Sequence, residues 1–205
     1  MVMDRNVGDA LPRKMTSVSD YHQFQDCDLR AYGLASWGLT AWLRYPQLRY
    51  QRLMRRIELV EALGGSLSRY LGLLMRVSLK RQSVRLGISI PPGCFGPGLS
   101  VPHYGSVVVN EKVRAGAFCR VHTATNIGER DGSAPILGDF VYIGPGAVLA
   151  GAISVGTCAA VGANSVVLDD VLAGKTVVGA PARAISNRGS RDVMPDWVTR
   201  VMPDY

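Results

Sequence analysis

A period of six residues runs through the second half of this 205-residue chain and limits the folds that are open to it. Aliphatic or small residues recur at every sixth position in two series, and the residue after each of them is mostly small. The two series consist of Val109, Ala115, Val121 and Ile127, and then Leu137, Ile143, Leu149, Val155, Val161 and Val167. Because neither a helix nor an ordinary strand has this period, the pattern predicts a repeat architecture.

Each unit of six residues is long enough for one short strand and one corner. Three such units make one coil, so residues 18 positions apart lie above one another at the strand spacing of about 4.8 Å. The aliphatic series then forms a central column, and small residues at the corners permit the sharp bends. We therefore expect a mainly β protein with a parallel β-helix.

The period slips once, because Ile127 and Leu137 are ten positions apart. The intervening segment, Glu129–Pro135, is polar and flexible, and we expect it to loop out of the coil. Three of its residues are predicted to contact substrate, namely Arg130, Asp131 and Ser133. An ordinary tolerated insertion is the alternative.

Helical periodicity precedes the repeat. Apolar residues lie three to five positions apart after Pro46, and two adjacent glycines end that pattern. Ser66 is expected to cap a second long helix that runs toward Arg81, and a shorter helix is predicted around residues 32–43.

These patterns divide the chain into four parts. They are a loose N-terminal arm at 1–17, a short α-helical N-terminal region at 18–85, the β-helix domain at 86–186 and a C-terminal tail at 187–205. A chain of 205 residues with 47% hydrophobic composition fits one core with a small appended region.

The formal net charge of +7 is concentrated between Arg44 and Arg85, where ten basic residues stand against two glutamates. A solvated helix face is one interpretation, and attraction to a polyanionic ligand or a membrane surface is the other. Peripheral membrane contact through these helices is therefore an expectation. The stretch lacks any nucleic-acid recognition motif, so no nucleic acid is expected as a partner.

The four cysteines stand at unrelated spacings and are expected to be free thiols. No secretory leader is recognised at the N-terminus. The most apolar N-terminal run, Ala31–Leu43, is too short to cross a bilayer, which needs about 20 residues. We therefore expect a cytoplasmic protein.

Three stretches carry a resemblance to a known family. They are residues 98–111 (GLSVPHYGSVVVNE), 161–167 (VGANSVV) and 177–183 (VVGAPAR). Together they resemble the hexapeptide-repeat acyltransferases, and among these the serine acetyltransferases and their relatives in polysaccharide gene clusters. The resemblance covers residues 87–185, about half of the chain.

The resemblance implies a left-handed β-helix that assembles as a homotrimer, with acetyl-CoA as co-substrate in the groove between neighbouring subunits. It places His103 at the catalytic base position and Glu111 near the active site, with a solvated surface carboxylate as the alternative for Glu111. It also implies contacts to CoA from backbone groups and from basic residues that meet the nucleotide phosphates, at Gly128, Pro145, Ala163, Lys175 and Arg183.

Transfer of an acetyl group from a thioester to an alcohol needs a base for the hydroxyl proton, and a neutral imidazole can serve. His103 suits this role, although it falls on the six-residue period, where a structural residue facing inward is the alternative. His122 stands at a small-residue position and is predicted to contact substrate. Backbone N–H groups near Gly128 or Gly144 are the predicted donors to the oxyanion.

Two departures from the serine enzymes bear on the acceptor. Those enzymes carry an aspartate immediately before the base histidine and a second histidine before the proline of the loop, whereas this chain has Pro102 and Ala134 there. The segment His103–Asn110 is more similar to the polysaccharide-cluster relatives. A hydroxyl of a sugar or polysaccharide precursor is therefore the predicted acceptor, with serine as the alternative.

Two other functions are compatible with a β-helix. Carbonic anhydrases of the γ type have this fold, but their zinc needs three histidines. This chain has only His22, His103 and His122, and His22 lies outside the repeat, so no metal is expected. A noncatalytic scaffold or binding module is the second alternative, because stacking of coils explains most of the glycine and valine pattern without chemistry. That alternative predicts no binding of acetyl-CoA.

Overall fold

The computed structural model describes residues 14–202, in which a helical region precedes a coil of short strands. The helices are α1 (Val18–Ala31), α2 (Leu39–Arg44), α3 (Pro46–Leu63), α4 (Ser66–Leu86) and α5 (Asp196–Thr199). The strands are β1 (Ile88–Ser89), β2 (Val107–Val109), β3 (Arg114–Ala115), β4 (Arg120–Val121), β5 (Thr125–Gly128), β6 (Ile136–Leu137), β7 (Tyr142–Ile143), β8 (Val148–Ala150), β9 (Ser154–Val155), β10 (Ala160–Val161), β11 (Val166–Val167), β12 (Thr176–Val178) and β13 (Arg183–Ser186).

The strands form the three faces of a β-solenoid of about five turns. The first face has the order β1-β2-β5-β8-β11, the second β3-β6-β9, and the third β4-β7-β10-β12, with β13 added antiparallel at its end. Val107 pairs with Thr125, and Val148 pairs with Val166, each 18 positions later. The predicted parallel coil of three strands per turn is confirmed.

The core of the coil is a double column of side chains. All ten residues of the aliphatic series are buried, with no more than 9% of any of them exposed. A second inward position precedes each of them by two residues, because side chains alternate between the faces of a strand. In one turn these positions hold Val107, Val113 and Cys119, and Thr125 begins the next turn.

The slip in the period adds four residues to one turn, since Asn126 pairs with Val148, 22 positions later. These residues leave the period as the sequence predicted, and they form a tight turn. Arg130 and Ser133 exchange backbone hydrogen bonds of 2.9 and 3.1 Å. Asp131 and Gly132 complete the turn with φ of 54° and 80°, the left-handed pair that a two-residue hairpin turn requires.

The helical boundaries differ from the prediction in two places. The shorter helix begins only at Leu39, because α1 already extends to Ala31 and the chain turns between them. The helix α1 starts from a capping box in which the Ser17 side chain accepts from the Asp20 N–H. Gly65, not Ser66, is the N-cap of α4, so Ser66 becomes its first residue. Within the described residues, no helix is long and apolar enough to cross a membrane.

A buried ion pair joins the helical region to the first turn of the coil. Arg55 of α3 donates from Nε to Asp28 Oδ2 of α1 over 2.9 Å. Its other nitrogens donate to the carbonyl oxygens of Phe95 at 2.8 Å and Gly96 at 2.6 Å. Asp28 also accepts the N–H of Leu99 at 3.1 Å. The helices are thereby held against the turn that leads to the candidate site.

Part of the C-terminal tail packs against the coil. Met194, Val198 and Met202 are buried in an apolar cluster with Phe118 and Phe140, which stack at the corner between the second and third faces. Of the predicted loose arm, residues 14–17 are described and residues 1–13 lie outside the described part of the chain, as do tail residues 203–205.

Candidate active site

The corner between the third and first faces is unusually long in the first turn of the coil. Five residues separate the inward-facing Val101 from Val107, whereas three separate Val121 from Thr125. The two additional residues push the chain outward, so His103 is exposed and does not occupy an inward position. The interpretation of His103 as a structural core residue is therefore wrong.

The helical region holds this corner in place. The Val101 N–H donates to the Tyr32 hydroxyl over 3.0 Å, and that hydroxyl donates to Gln51 Oε1 over 2.6 Å. Gln47 Nε2 donates to the Pro102 carbonyl oxygen over 3.2 Å. His103 thus projects from a segment whose backbone is fixed on the side facing the helices.

His122 lies beside His103, one turn further along the coil. Their ring centroids are 6.3 Å apart, and the His122 ring lies 5.1 Å from that of Tyr142. Arg120 donates from Nε to His122 Nε2 over 3.3 Å and from Nη1 to Ser100 Oγ over 3.0 Å. We call this group the histidine corner, comprising Ser100, His103, Arg120, His122 and Tyr142.

Burial determines the charge of His122. It lowers the pKa of His122 to about 4, and the charges of Arg120 and His103 act in the same direction. His122 is therefore neutral at pH 7. Because Arg120 donates to Nε2, the imidazole proton of His122 lies on Nδ1. Burial also lowers the pKa of Arg120 and raises that of Tyr142.

Arg120 and Tyr142 were missed by the sequence interpretation. They pair in register across β4 and β7, directly before the corner, while Val121 and Ile143 face inward. Their position in the repeat could have identified them from the sequence. Each directly precedes an inward residue of the third face, so its side chain points outward next to the corner.

Two predicted CoA contacts lie on the same edge of the coil as the histidines. Pro145 and Ala163 are exposed at the same corner in the following two turns. The Asn164 N–H donates to the Pro145 carbonyl oxygen over 2.8 Å, which stacks one corner on the next. The Gly144 N–H, however, donates to the Val161 carbonyl oxygen over 2.8 Å and is not free to bind an oxyanion.

The remaining predicted site residues lie elsewhere in this chain. Five of them are at the corner between the first and second faces, namely Glu111, Gly128, Arg130, Asp131 and Ser133. Glu111 and His103 flank opposite ends of β2, so the two predicted catalytic side chains belong to different corners of the coil.

The two basic residues predicted to bind CoA are engaged with neighbours of their own. Arg183 on β13 is exposed and pairs with Asp169 over 3.2 Å. Lys175, at the corner between the second and third faces, donates to Asn187 Oδ1. Neither belongs to the histidine corner. In residues 14–202, no group of three or more His, Cys, Asp or Glu side chains is arranged to hold a metal ion.

Known proteins similar to this chain were found by sequence and by structure, although no protein-family model matches it. A serine acetyltransferase of Synechococcus elongatus is 35% identical over 127 residues, which are 57% of this chain and 52% of that protein. This chain therefore spans about half the length of that curated relative.

Solved structures extend the likeness to the helices. A serine acetyltransferase of Brucella abortus superposes with a TM-score of 0.69 at 22% identity, covering 84% of this chain and 71% of that one. A serine acetyltransferase in complex with CoA gives 0.65 at 25% identity, covering 82% and 71%. The coil of this chain thus matches the left-handed β-helix of these proteins. The likenesses in sequence and in fold thus lead to the same kind of protein, the serine acetyltransferases.

Proposed function

We propose that the protein transfers an acetyl group from acetyl-CoA to a hydroxyl group, with His103 as the general base. The observation that carries the proposal is the histidine corner itself, where an exposed imidazole stands beside a neutral one and a fixed guanidinium. The relatives named serine acetyltransferases, one of them solved with CoA, support this chemistry and this co-substrate.

In the proposed reaction, His103 accepts the proton of the acceptor hydroxyl while its oxygen bonds to the thioester carbonyl carbon. The bond from that carbon to the CoA sulfur then breaks, and the proton held by His103 passes to the departing sulfur. Arg120 uses one N–H on His122 and one on Ser100, so its remaining N–H groups are candidate donors to the developing oxyanion. Backbone groups near Gly128 remain the other candidates.

Two acceptors are proposed. Serine has the stronger support from the comparisons, because the relatives found are named serine acetyltransferases. A sugar or polysaccharide hydroxyl is the second candidate, favoured by Pro102 and Ala134. Neither side chain can pair with the ammonium group of an amino acid or donate to its carboxylate, whereas a neutral sugar needs no such partners.

We further propose a homotrimer with the site in a groove between subunits. The separation of the predicted residues over two corners supports it, since an assembly could set the histidine corner of one subunit against the Glu111 corner of the next. Within this arrangement Pro145, Ala163, Arg183 and Lys175 are the proposed contacts to CoA. A cytoplasmic location and peripheral membrane contact are also proposals.

The test is thiol release from acetyl-CoA with L-serine and with a panel of sugars, for the parent protein and His103→Ala. We expect kcat to fall by about 10² to 10⁴-fold in the variant with little change in the KM for acetyl-CoA. His22→Ala, at an exposed position on α1, is the matched control and should retain full activity.

A thermal shift with CoA separates this proposal from a noncatalytic scaffold. CoA at about 100 times its Kd should stabilise the protein by about 2.7 kcal/mol. Absence of stabilisation by CoA together with near-parental kcat in His103→Ala would remove both parts of the proposal.

A further inference from the structure

A large basic cavity lies in the helical region. Its lining shares no residue with the histidine corner, although the carbonyl oxygen of Leu86, one of its lining residues, accepts the Gly105 N–H over 2.8 Å. It has a volume of about 790 Å³ and is bounded by α2, α3 and α4. Five arginines line it, and its lining contains no aspartate or glutamate. The five are Arg49, Arg52, Arg56, Arg81 and Arg85. We call it the arginine cavity.

The charge in this cavity is not neutralised by the described part of the chain. None of the five arginines forms an ion pair within residues 14–202, whereas Arg55 and Arg76 in the same helices do. Arg49 and Arg52 instead lie over the rings of Trp42 and Trp37, at 4.7 and 4.5 Å. Concentrated positive charge of this kind favours a ligand with a phosphate or similar anion.

An exposed apolar stripe borders the cavity. The helix α4 buries only Gly72 and Leu79, and its opposite face carries large apolar side chains that are between 48% and 74% exposed. This stripe consists of Tyr70, Leu73, Leu74, Val77 and Val84. Arg81 is four residues after Val77 and three before Val84, so it lies on the same face of the helix as the stripe. Arg81 also lines the arginine cavity, so the cavity and the stripe adjoin.

Charge selects among the partners that would cover this face. The helix α4 contains five basic and no acidic residues, so two copies packed through the stripe would bring like charges together. A soluble phosphate compound would use the cavity but leave the stripe exposed. An anionic bilayer satisfies both features, with phosphate groups for the arginines and an apolar layer for the stripe.

We propose that α2, α3 and α4 dock on an anionic lipid bilayer, with a lipid phosphate headgroup in the arginine cavity and the α4 stripe in the boundary of the acyl layer. The helix α2 also carries two exposed leucines, Leu39 and Leu43, in the same turn as Trp42. They provide a second set of apolar side chains for contact with the acyl layer. This proposal does not depend on the acetyl transfer proposed above.

The primary experiment is vesicle flotation of the full chain. We expect binding to phosphatidylcholine vesicles that contain about 25% phosphatidylglycerol, no binding to phosphatidylcholine alone, and weaker binding at higher salt. Arg81→Gln combined with Arg85→Gln should weaken binding by about 25-fold, since each basic residue near the surface contributes about fivefold. The matched control is Arg188→Gln with Arg200→Gln, two exposed arginines of the tail.

A second pair of variants tests the stripe. Leu74→Ser should reduce flotation, whereas Leu172→Ser, an exposed leucine of the coil, should not. The proposal would be overturned if the variant with both Arg81→Gln and Arg85→Gln floated with vesicles as well as the parent does. It would also be overturned if inorganic pyrophosphate stabilised the protein against thermal unfolding while no vesicle binding was seen. A third contrary result would be a lower sedimentation coefficient for Leu74→Ser than for the parent in the absence of lipid. The second result would assign the cavity to a soluble phosphate, and the third would assign the stripe to self-association.

Discussion

At the scale of single residues, two adjacent imidazoles differ because the coil half-buries one and exposes the other. His122 lies on the regular three-residue corner, where Arg120 and Tyr142 shield it. His103 lies on the longer corner and is exposed. An exposed imidazole can reach a hydroxyl substrate, and a half-buried neutral one beside it can contact the same substrate. The proposed role of His103 as base, with His122 as a predicted substrate contact, is consistent with this difference in burial.

The pKa of His122 predicts how stability depends on pH. Its folded value of about 4 lies below the unperturbed 6.5, so the unfolded state binds more protons between those values. Stability should therefore fall as the pH decreases from about 6.5 toward about 4. The decrease in Tm between pH 7 and pH 4.5 should be smaller for His122→Gln than for the parent. His22→Gln, at an exposed position, serves as the control, and equal losses in all three proteins would contradict the prediction.

Arg183 is predicted to bind a phosphate of CoA. Its pair with Asp169 is exposed and contributes little to stability, so Arg183→Ala should leave Tm unchanged. The KM for acetyl-CoA should rise by about tenfold or more, because a charge-assisted hydrogen bond is lost. Asp169→Ala breaks the same pair but keeps the arginine, and it should retain the parental KM. An unchanged KM in Arg183→Ala would exclude the contact.

At the scale of elements, the helical region is attached to the coil through buried polar groups of α1 and α3 and through apolar residues such as Met54 and Ile57. Asp28→Ala leaves the Arg55 guanidinium buried without its main partner, which should cost about 3 to 5 kcal/mol in the free energy of unfolding. Arg76→Ala removes an exposed pair with Glu61 in the same region and should cost less than about 1 kcal/mol. Urea unfolding measures both, and equal costs would show that the Asp28 pair does not hold the helices to the coil.

At the scale of the whole molecule, assembly decides whether the two sets of predicted site residues meet. Sedimentation equilibrium should show a trimer over a wide range of concentrations. His103→Ala should remain a trimer, because it shortens one side chain at a groove that must stay open to substrates, and this separates assembly from catalysis. A monomer that still turns over acetyl-CoA would rule out the shared groove.

The repeat was predictable from the sequence because every unit of six residues has the same local task. A strand and a corner of fixed length place the same position inward in each turn, so Val121, Ile143 and Val161 were identified as core residues without knowledge of their neighbours. The same local signal predicted the insertion before Leu137, since four extra residues must leave the period.

The composition of the site was decided by tertiary structure. The period assigned His103 to the core, but two extra residues at its corner place it outside. Arg120 and Tyr142 are 22 positions apart in the chain and become neighbours only when successive turns stack. Periodicity encodes which side of a strand faces inward, because that depends on local geometry. Which corners stand above one another depends on the number of residues in every turn of the closed coil, and that number is a property of the complete fold.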